Sequence, residues 1–322
     1  FAFSISILLL FNSGLLRLST IIMSEIPYVF FSILAFYCVL QLKDINDYSK
    51  SKYFFGMLFS TVAAYYLRSI GITLAAAIFL YWLIQKRWKL SFIFLGGFTI
   101  LYAPWIIRNS IHGLKGRYFG TVMTINPWRP EEGQIKSISE FISKAMINLN
   151  DTVLQGFAEV MLPFIEINHI SKLFMIIIGL VILFLVLFGA WKLKHLRYLF
   201  ILYILGNIGI FLIWHTGNSV RYVWPLVPFI TFCFFYAIYD LISLFFKKRS
   251  QLLPQKLSYA ILLLSLFYLP TLSDLNANAK QNHPSAYNNY FNIAKNIRES
   301  DSSQFVVACR KPGMFHFYSN SF

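Results

Sequence analysis

Nine apolar runs follow one another along the chain, at about residues 1–16, 26–42, 53–67, 69–85, 91–107, 172–190, 198–214, 221–246 and 257–272. Runs of this kind demand an apolar solvent, and inside a bilayer the backbone must pair its own polar groups, so each run reads as a helix. An upright span needs about 20 apolar residues, and several of these runs are shorter. Charged residues make up only 13% of the chain, and its mean hydropathy is +0.61. Soluble domains carry roughly 25% charge. The expected fold class is therefore an all-α polytopic membrane protein.

The segments between the runs set an orientation. Lys43 with Lys50 and Lys52, Lys86–Lys89, Lys192–Arg197 and Lys247–Lys256 form one set, short and basic. They alternate with a second set: Arg17–Glu25, the turn at Arg68, the long loop 108–171, the loop 215–220 and the tail 273–322. Lys and Arg accumulate on cytoplasmic loops, which assigns the second set to the extracytoplasmic side. Glu25, Glu131, Glu132, Glu140, Asp151, Glu159, Glu166, Asp274, Glu299 and Asp301 all fall in that second set. Only Asp44, Asp47 and Asp240 fall on the other side. Chemistry that needs a carboxylate is thus expected outside the cytoplasm. The formal charge of +15 reads as topology and anionic-lipid charge rather than a nucleic-acid footprint. Cys38, Cys233 and Cys309 give neither a disulfide framework nor a zinc spacing. No phosphate-loop, dinucleotide or HExxH pattern occurs.

Composition divides the chain into a membrane domain, 1–272, and a polar tail, 273–322. In the tail, Tyr287, Tyr290, Phe291, Ala294 and Ile297 predict a short amphipathic helix, and Phe305–Cys309 a strand. One strand cannot stand alone, so a small extracytoplasmic α/β domain cut short at Phe322 is expected. The chain opens at Phe1 inside an apolar run, so it reads as a fragment. Within 108–171, Ser137 and Glu140 have capping-box spacing. Apolar positions from Ile138 to Met161 then recur with a helical period, predicting an amphipathic helix lying on the outer leaflet.

Several side chains sit where these spans end. Glu25 opens the run 26–42, with Pro27 in the first turn. An acid there favours the helix dipole, and a carboxylate at a cavity mouth can also act as a general base. Arg68 joins two short runs, and interrupted spans commonly line cavities. Its guanidinium either snorkels to headgroups or clamps a phosphate bidentately. Arg108 follows Pro104 and Trp105, and Arg221 and Tyr222 precede Trp224–Pro228; each is an interfacial anchor or a phosphate ligand. Together these residues suit one lipid-phosphate substrate, its tail among helices and its phosphate against guanidiniums. A carboxylate would take the proton of an acceptor hydroxyl.

The segments Ser24–Tyr37 (SEIPYVFFSILAFY), Ala63–Trp88, Ala103–Asn109 (APWIIRN), Asn218–Pro228 (NSVRYVWPLVP) and Val306–Tyr318 (VVACRKPGMFHFY) resemble the C-type (GT-C) lipid-linked-sugar glycosyltransferases. The likeness is to the protein O-mannosyltransferase-like and aminoarabinose-transferase-like groups. The resemblance implies a GT-C helical bundle in a bacterial inner membrane with an extracytoplasmic site. It implies inverting transfer of a sugar from a polyprenyl-phosphate donor to a lipid, glycan or protein acceptor. Glu25 then takes the family's second acidic position, orienting the acceptor or assisting as a base, while the principal acid is expected upstream of Phe1. Arg68, Arg108, Arg221 and Tyr222 become donor-phosphate ligands. No cofactor is assigned; some family members hold a divalent metal, and His112, His215 and the outer acids are ligand candidates without a specific spacing. Rival classes are a transporter or flippase of lipid-linked sugars, a polysaccharide polymerase or ligase, and a non-catalytic scaffold.

Overall fold

The computed structural model describes residues 1–20, 24–42, 51–112, 120, 122–125, 130–162, 171–214, 220–245, 253–280 and 285–299. Among them there is no strand, only an isolated bridge between Thr124 and Gln134. Lys43, Lys50, Lys247, Lys248, Arg249, Asp44, Asp47, Glu166, His215, Asp301 and the expected strand Phe305–Cys309 lie outside the described residues.

The helices are α1 (Ala2–Leu10), α2 (Ser13–Thr20), α3 (Glu25–Leu42), α4 (Lys52–Leu67), α5 (Ile72–Ile84), α6 (Trp88–Ile111), α7 (Ile138–Asn148), α8 (Gln155–Met161), α9 (Lys172–Lys192), α10 (Arg197–Ile213), α11 (Val227–Phe245), α12 (Leu253–Leu266), α13 (Leu269–Ala279) and α14 (Ser285–Glu299). Among the described residues, five stretches are long and apolar enough to cross a membrane: Glu25–Leu42, Trp88–Ile111, Lys172–Lys192, Val220–Leu244 and Leu253–Asn278. A sixth candidate is the α1–α2 pair, bent by 60°. The chain is a multi-pass, all-α membrane protein. The bend falls at Asn12, whose side chain accepts from Leu15 N and so caps the start of α2.

Contacts between helix ends show how neighbours alternate in direction. Arg68, at the end of α4, meets Glu25 at the start of α3. At the opposite end Arg87 Nη1 donates to Leu42 O, 2.7 Å, and its guanidinium lies over Trp82. Lys192, ending α9, pairs with Asp240 of α11 at 3.0 Å on that same opposite side of these helices. Several helices are short. With 16 residues, α4 is about 24 Å long, less than the ~30 Å hydrocarbon core. α5 and α10 are similarly short and bury Leu74, Ile78, Tyr81, Leu199, Phe200 and Tyr203. The longer α6 and α9 instead expose Phe92, Ile100, Ile107, Leu180 and Phe184, as lipid-facing helices do. Phe36, Phe200, Tyr203 and Phe229 form an aromatic centre, with ring centroids 4.8 to 6.1 Å apart. Where α9 crosses α11, Gly189 lies so close to the Cys233 carbonyl that a Cβ would collide with it; small residues allow such approach in membrane bundles.

The segment 137–161 departs from the expected surface helix. Its start is as expected: Ser137 Oγ accepts from Glu140 N, and Glu140 Oε2 accepts from Lys136 N, 2.9 Å. α7 exposes Ile138, Ile142 and Met146. A π turn then spans Leu149–Leu154, and beyond it Val153, Phe157 and Val160 are fully buried. Only the first half is a surface helix; the second half is inserted in the bundle. Helical periodicity identifies an apolar face but not whether lipid or protein covers it, and the wide turn lets the chain change from one to the other.

The chain divides into compact units Phe1–Leu272 and Ser273–Phe322. Within the second, α14 buries Ala294, and Tyr290 and Phe291 meet edge to face, centroids 6.0 Å apart.

Candidate functional site

The site grows from three breaks in helical structure. Glu25 is the first residue of α3, where a carboxylate faces the positive end of the helix dipole. Pro27 follows in the first turn, where its missing N–H costs nothing. Arg68 is the single extended residue (φ −147°, ψ 130°) between α4 and a 3₁₀ turn, Ser69–Gly71, that leads into α5. Gly71 N donates to Arg68 O, 2.8 Å. A Cβ on Gly71 would sit 2.7 Å from the Tyr65 backbone, so only glycine lets this turn fold back onto α4. Arg221 lies in a second 3₁₀ turn, Val220–Tyr222, just before the Trp224–Leu226 turn and α11.

These breaks bring both guanidiniums onto one oxygen. Arg68 Nη1 and Arg221 Nε each stand 2.6 Å from Glu25 Oε1. The Glu25 side chain is fully buried; Arg68 is 13% exposed and Arg221 51%. Glu25 Oε2 is buried with no hydrogen-bond partner among the described residues. The carboxylate thus anchors two cations through one oxygen and leaves the other able to accept a further hydrogen bond. One carboxylate against two guanidiniums also leaves net positive charge, an arrangement suited to holding an anion.

A polar column continues inward from this site. One turn along α3, Tyr28 and Tyr203 share a buried hydroxyl–hydroxyl bond of 2.9 Å, and Ser32 Oγ donates to Tyr28 O. Asn207 Nδ2 donates to Thr73 Oγ1 and Tyr203 O, at 2.9 and 2.8 Å. This column was not among the expected site residues. The signal was present in the sequence, because Glu25, Tyr28 and Ser32 recur at helical spacing on one face of an otherwise apolar run.

Two expected ligands contact tryptophans. Arg108 stacks over Trp105, 5.1 Å from the ring centroid, as an interfacial cation–π pair. Tyr222, although next to Arg221 in the chain, accepts from Trp214 Nε1 at 3.3 Å. Of the five expected residues, the structure therefore joins Glu25, Arg68 and Arg221. His112 caps the C-terminus of α6, and no group of three His, Cys, Asp or Glu side chains gathers among the described residues.

Further polar groups brace the end of the bundle that carries Glu25. Asn148 Nδ2 donates to Leu212 O and Trp214 O, at 3.0 and 2.7 Å, closing the C-terminus of α10. Lys144 Nζ donates to Val122 O and Thr124 O, and burial lowers its pKa. In α8, burial pushes the Glu159 carboxyl up from its usual range. Comparison of the chain with protein-family models, curated proteins and solved structures gives no match.

Proposed function

We propose that the chain is a membrane glycosyltransferase of GT-C type, moving a sugar from a polyprenyl-phosphate donor to an extracytoplasmic acceptor with inversion. The observation that carries this reading is the division of labour at Glu25: Oε1 faces two guanidiniums, while Oε2 is buried with no hydrogen-bond partner among the described residues. The guanidiniums meet the donor phosphate and stabilise it as it leaves, which needs fixed positive charge but no acid. Oε2 receives the acceptor hydroxyl, orients it toward the anomeric carbon, and assists in taking its proton. Attack occurs opposite the phosphate, and the configuration inverts. Arg108 and Tyr222, bound to Trp105 and Trp214, serve this reading as interfacial supports rather than ligands. The proposed setting is a bacterial inner membrane, with the Glu25 end outside the cytoplasm.

The test is sugar transfer in proteoliposomes supplied with a polyprenyl-phosphate sugar, comparing wild type, Glu25→Gln and Arg221→Ala at equal amounts. Both variants are expected to lose at least tenfold; unchanged turnover in both refutes the assignment. One observation favours a second reading. The 60° bend at Asn12 and the break at Arg68 are discontinuities of the kind found in transporters. A flippase would move a fluorescent lipid-linked sugar across the bilayer without consuming acceptor, which the same proteoliposomes can measure.

A further inference from the structure

An apolar groove of about 390 Å³ lies between α1, the end of α8, α9, α11 and α12. Its α9 wall runs from Ile177 to Leu185, about 12 Å along the helix axis. That is close to the depth of one leaflet of a ~30 Å hydrocarbon core. Half-exposed Ile177, Val181 and Leu264 flank it on helices that read as membrane spans, so its open side faces lipid. The polar lining residues, Asn12, Thr231 and Tyr268, gather toward the end of the bundle that carries Glu25; toward the bilayer centre the lining is apolar. Asn12 is used in capping α2 and in a bond with Tyr268. Thr231 is only 3% exposed, and its hydroxyl is directed at the Met161 thioether, 3.5 Å away, a weak acceptor. A buried hydroxyl with so poor a partner suits a stronger acceptor from a ligand.

The groove is separate from the Glu25 site because α11 stands between them. Phe229 faces Phe36 and Tyr203, with centroids at 4.8 and 4.9 Å. Thr231, Phe234, Phe235 and Ile238 occupy the opposite side of the helix and line the groove.

We propose that this groove holds one acyl chain of a bilayer phospholipid as a resident lipid, with its ester carbonyl accepting from Thr231 Oγ1. The polarity gradient runs as it does in one leaflet, with ester-bonding groups outside and hydrocarbon within. A groove one leaflet deep fits an acyl chain, whereas a polyprenyl chain is far longer. The assignment is independent of sugar transfer.

The experiment uses the full chain in detergent, stripped of lipid and titrated in native mass spectrometry with dioleoyl phosphatidylglycerol or with polyprenyl phosphate. Wild type is expected to retain one phospholipid in preference to the prenyl lipid. Leu185→Trp, which fills the groove, is expected to lose at least tenfold in retention. Thr231→Val is expected to lose about fivefold, the change that one hydrogen bond of about 1 kcal/mol represents. A phosphatidylcholine bearing a photoactivatable acyl chain tests the unaltered protein. After washing, its adducts should concentrate on Ile177–Leu185 and Phe234–Ile238. Equal retention by wild type and Leu185→Trp, preference for polyprenyl phosphate, or adducts concentrated elsewhere would each overturn the proposal.

Discussion

At Glu25, distance and burial forecast different things. Both guanidinium contacts measure 2.6 Å, yet Arg68 is 13% exposed and Arg221 51%. Two unit charges 4 Å apart interact by about 4 kcal/mol at an effective dielectric of 20, and by about 1 kcal/mol in water. Removing one partner of a buried pair costs roughly 3–5 kcal/mol, because the other charge is left uncompensated. An exposed pair contributes roughly 0.2–1 kcal/mol. Glu25→Gln should therefore destabilise by about 3–5 kcal/mol, and it leaves two guanidiniums separated by no more than twice their contact distance. Arg68→Met and Arg221→Met, alone and combined with Glu25→Gln, complete two double-mutant cycles. The Glu25–Arg68 coupling should reach about 2–3 kcal/mol, and the Glu25–Arg221 coupling about 1 kcal/mol or less. Unfolding of the purified protein in one detergent, followed by helical circular dichroism, gives both. Equal couplings, or a larger one for Arg221, would refute the argument that burial rather than distance sets these energies.

Three further substitutions probe the frame around the site. Asn148→Ala removes the donor to two carbonyls at the end of α10; a loss of about 1–3 kcal/mol is expected, read as a lower Tm and faster amide exchange near Trp214. Gly189→Leu puts a branched side chain against the Cys233 carbonyl, where backbone cannot yield. It should abolish a monodisperse peak in size-exclusion chromatography, while Gly209→Ala, where a Cβ meets nothing, should not. Burial raises the Glu159 pKa above its ordinary 4.5, so the folded state binds more protons than the unfolded state between those two values. Stability should fall as pH rises through that window. Glu159→Gln should raise Tm at pH 7 and lose its advantage below about pH 4.5, the ordinary value of the carboxyl.

Apolar runs locate helices well because a bilayer permits little else, and each run carries a helix, although the run 1–16 holds two, bent by 60°, and α13 continues past residue 272. The site was legible by residue but not by contact. Glu25, Arg68 and Arg221 each mark a span end, yet nothing local says that positions 25 and 221 share an oxygen. That meeting depends on which helices become neighbours. Arg108 and Tyr222 had the same local signature and went to tryptophans instead. For the segment 137–161 the period was right and the destination was not, since Val153 and Phe157 face protein and a π turn leaves no pattern in the sequence.

The break at Arg68 links the length of α4 and α5 to the charge at their junction. Had α4 and α5 been full-length spans, their ends would lie at headgroup level, where Arg68 could meet water and gain little from Glu25. At 16 and 13 residues they are about 24 and 20 Å long, shorter than the ~30 Å hydrocarbon core, and Arg68 at their junction is only 13% exposed. Charges buried to this degree interact through a medium less polar than water, so the guanidiniums beside Glu25 compete strongly for any anion. Glu25 occupies that position in the described structure, using one oxygen. An incoming phosphate must therefore share or take over the guanidiniums, and the more exposed Arg221 can move outward at the smaller cost. If phosphate binds, Arg221 should be the first to exchange partners, with Arg68 remaining on Glu25 to hold the carboxylate in place.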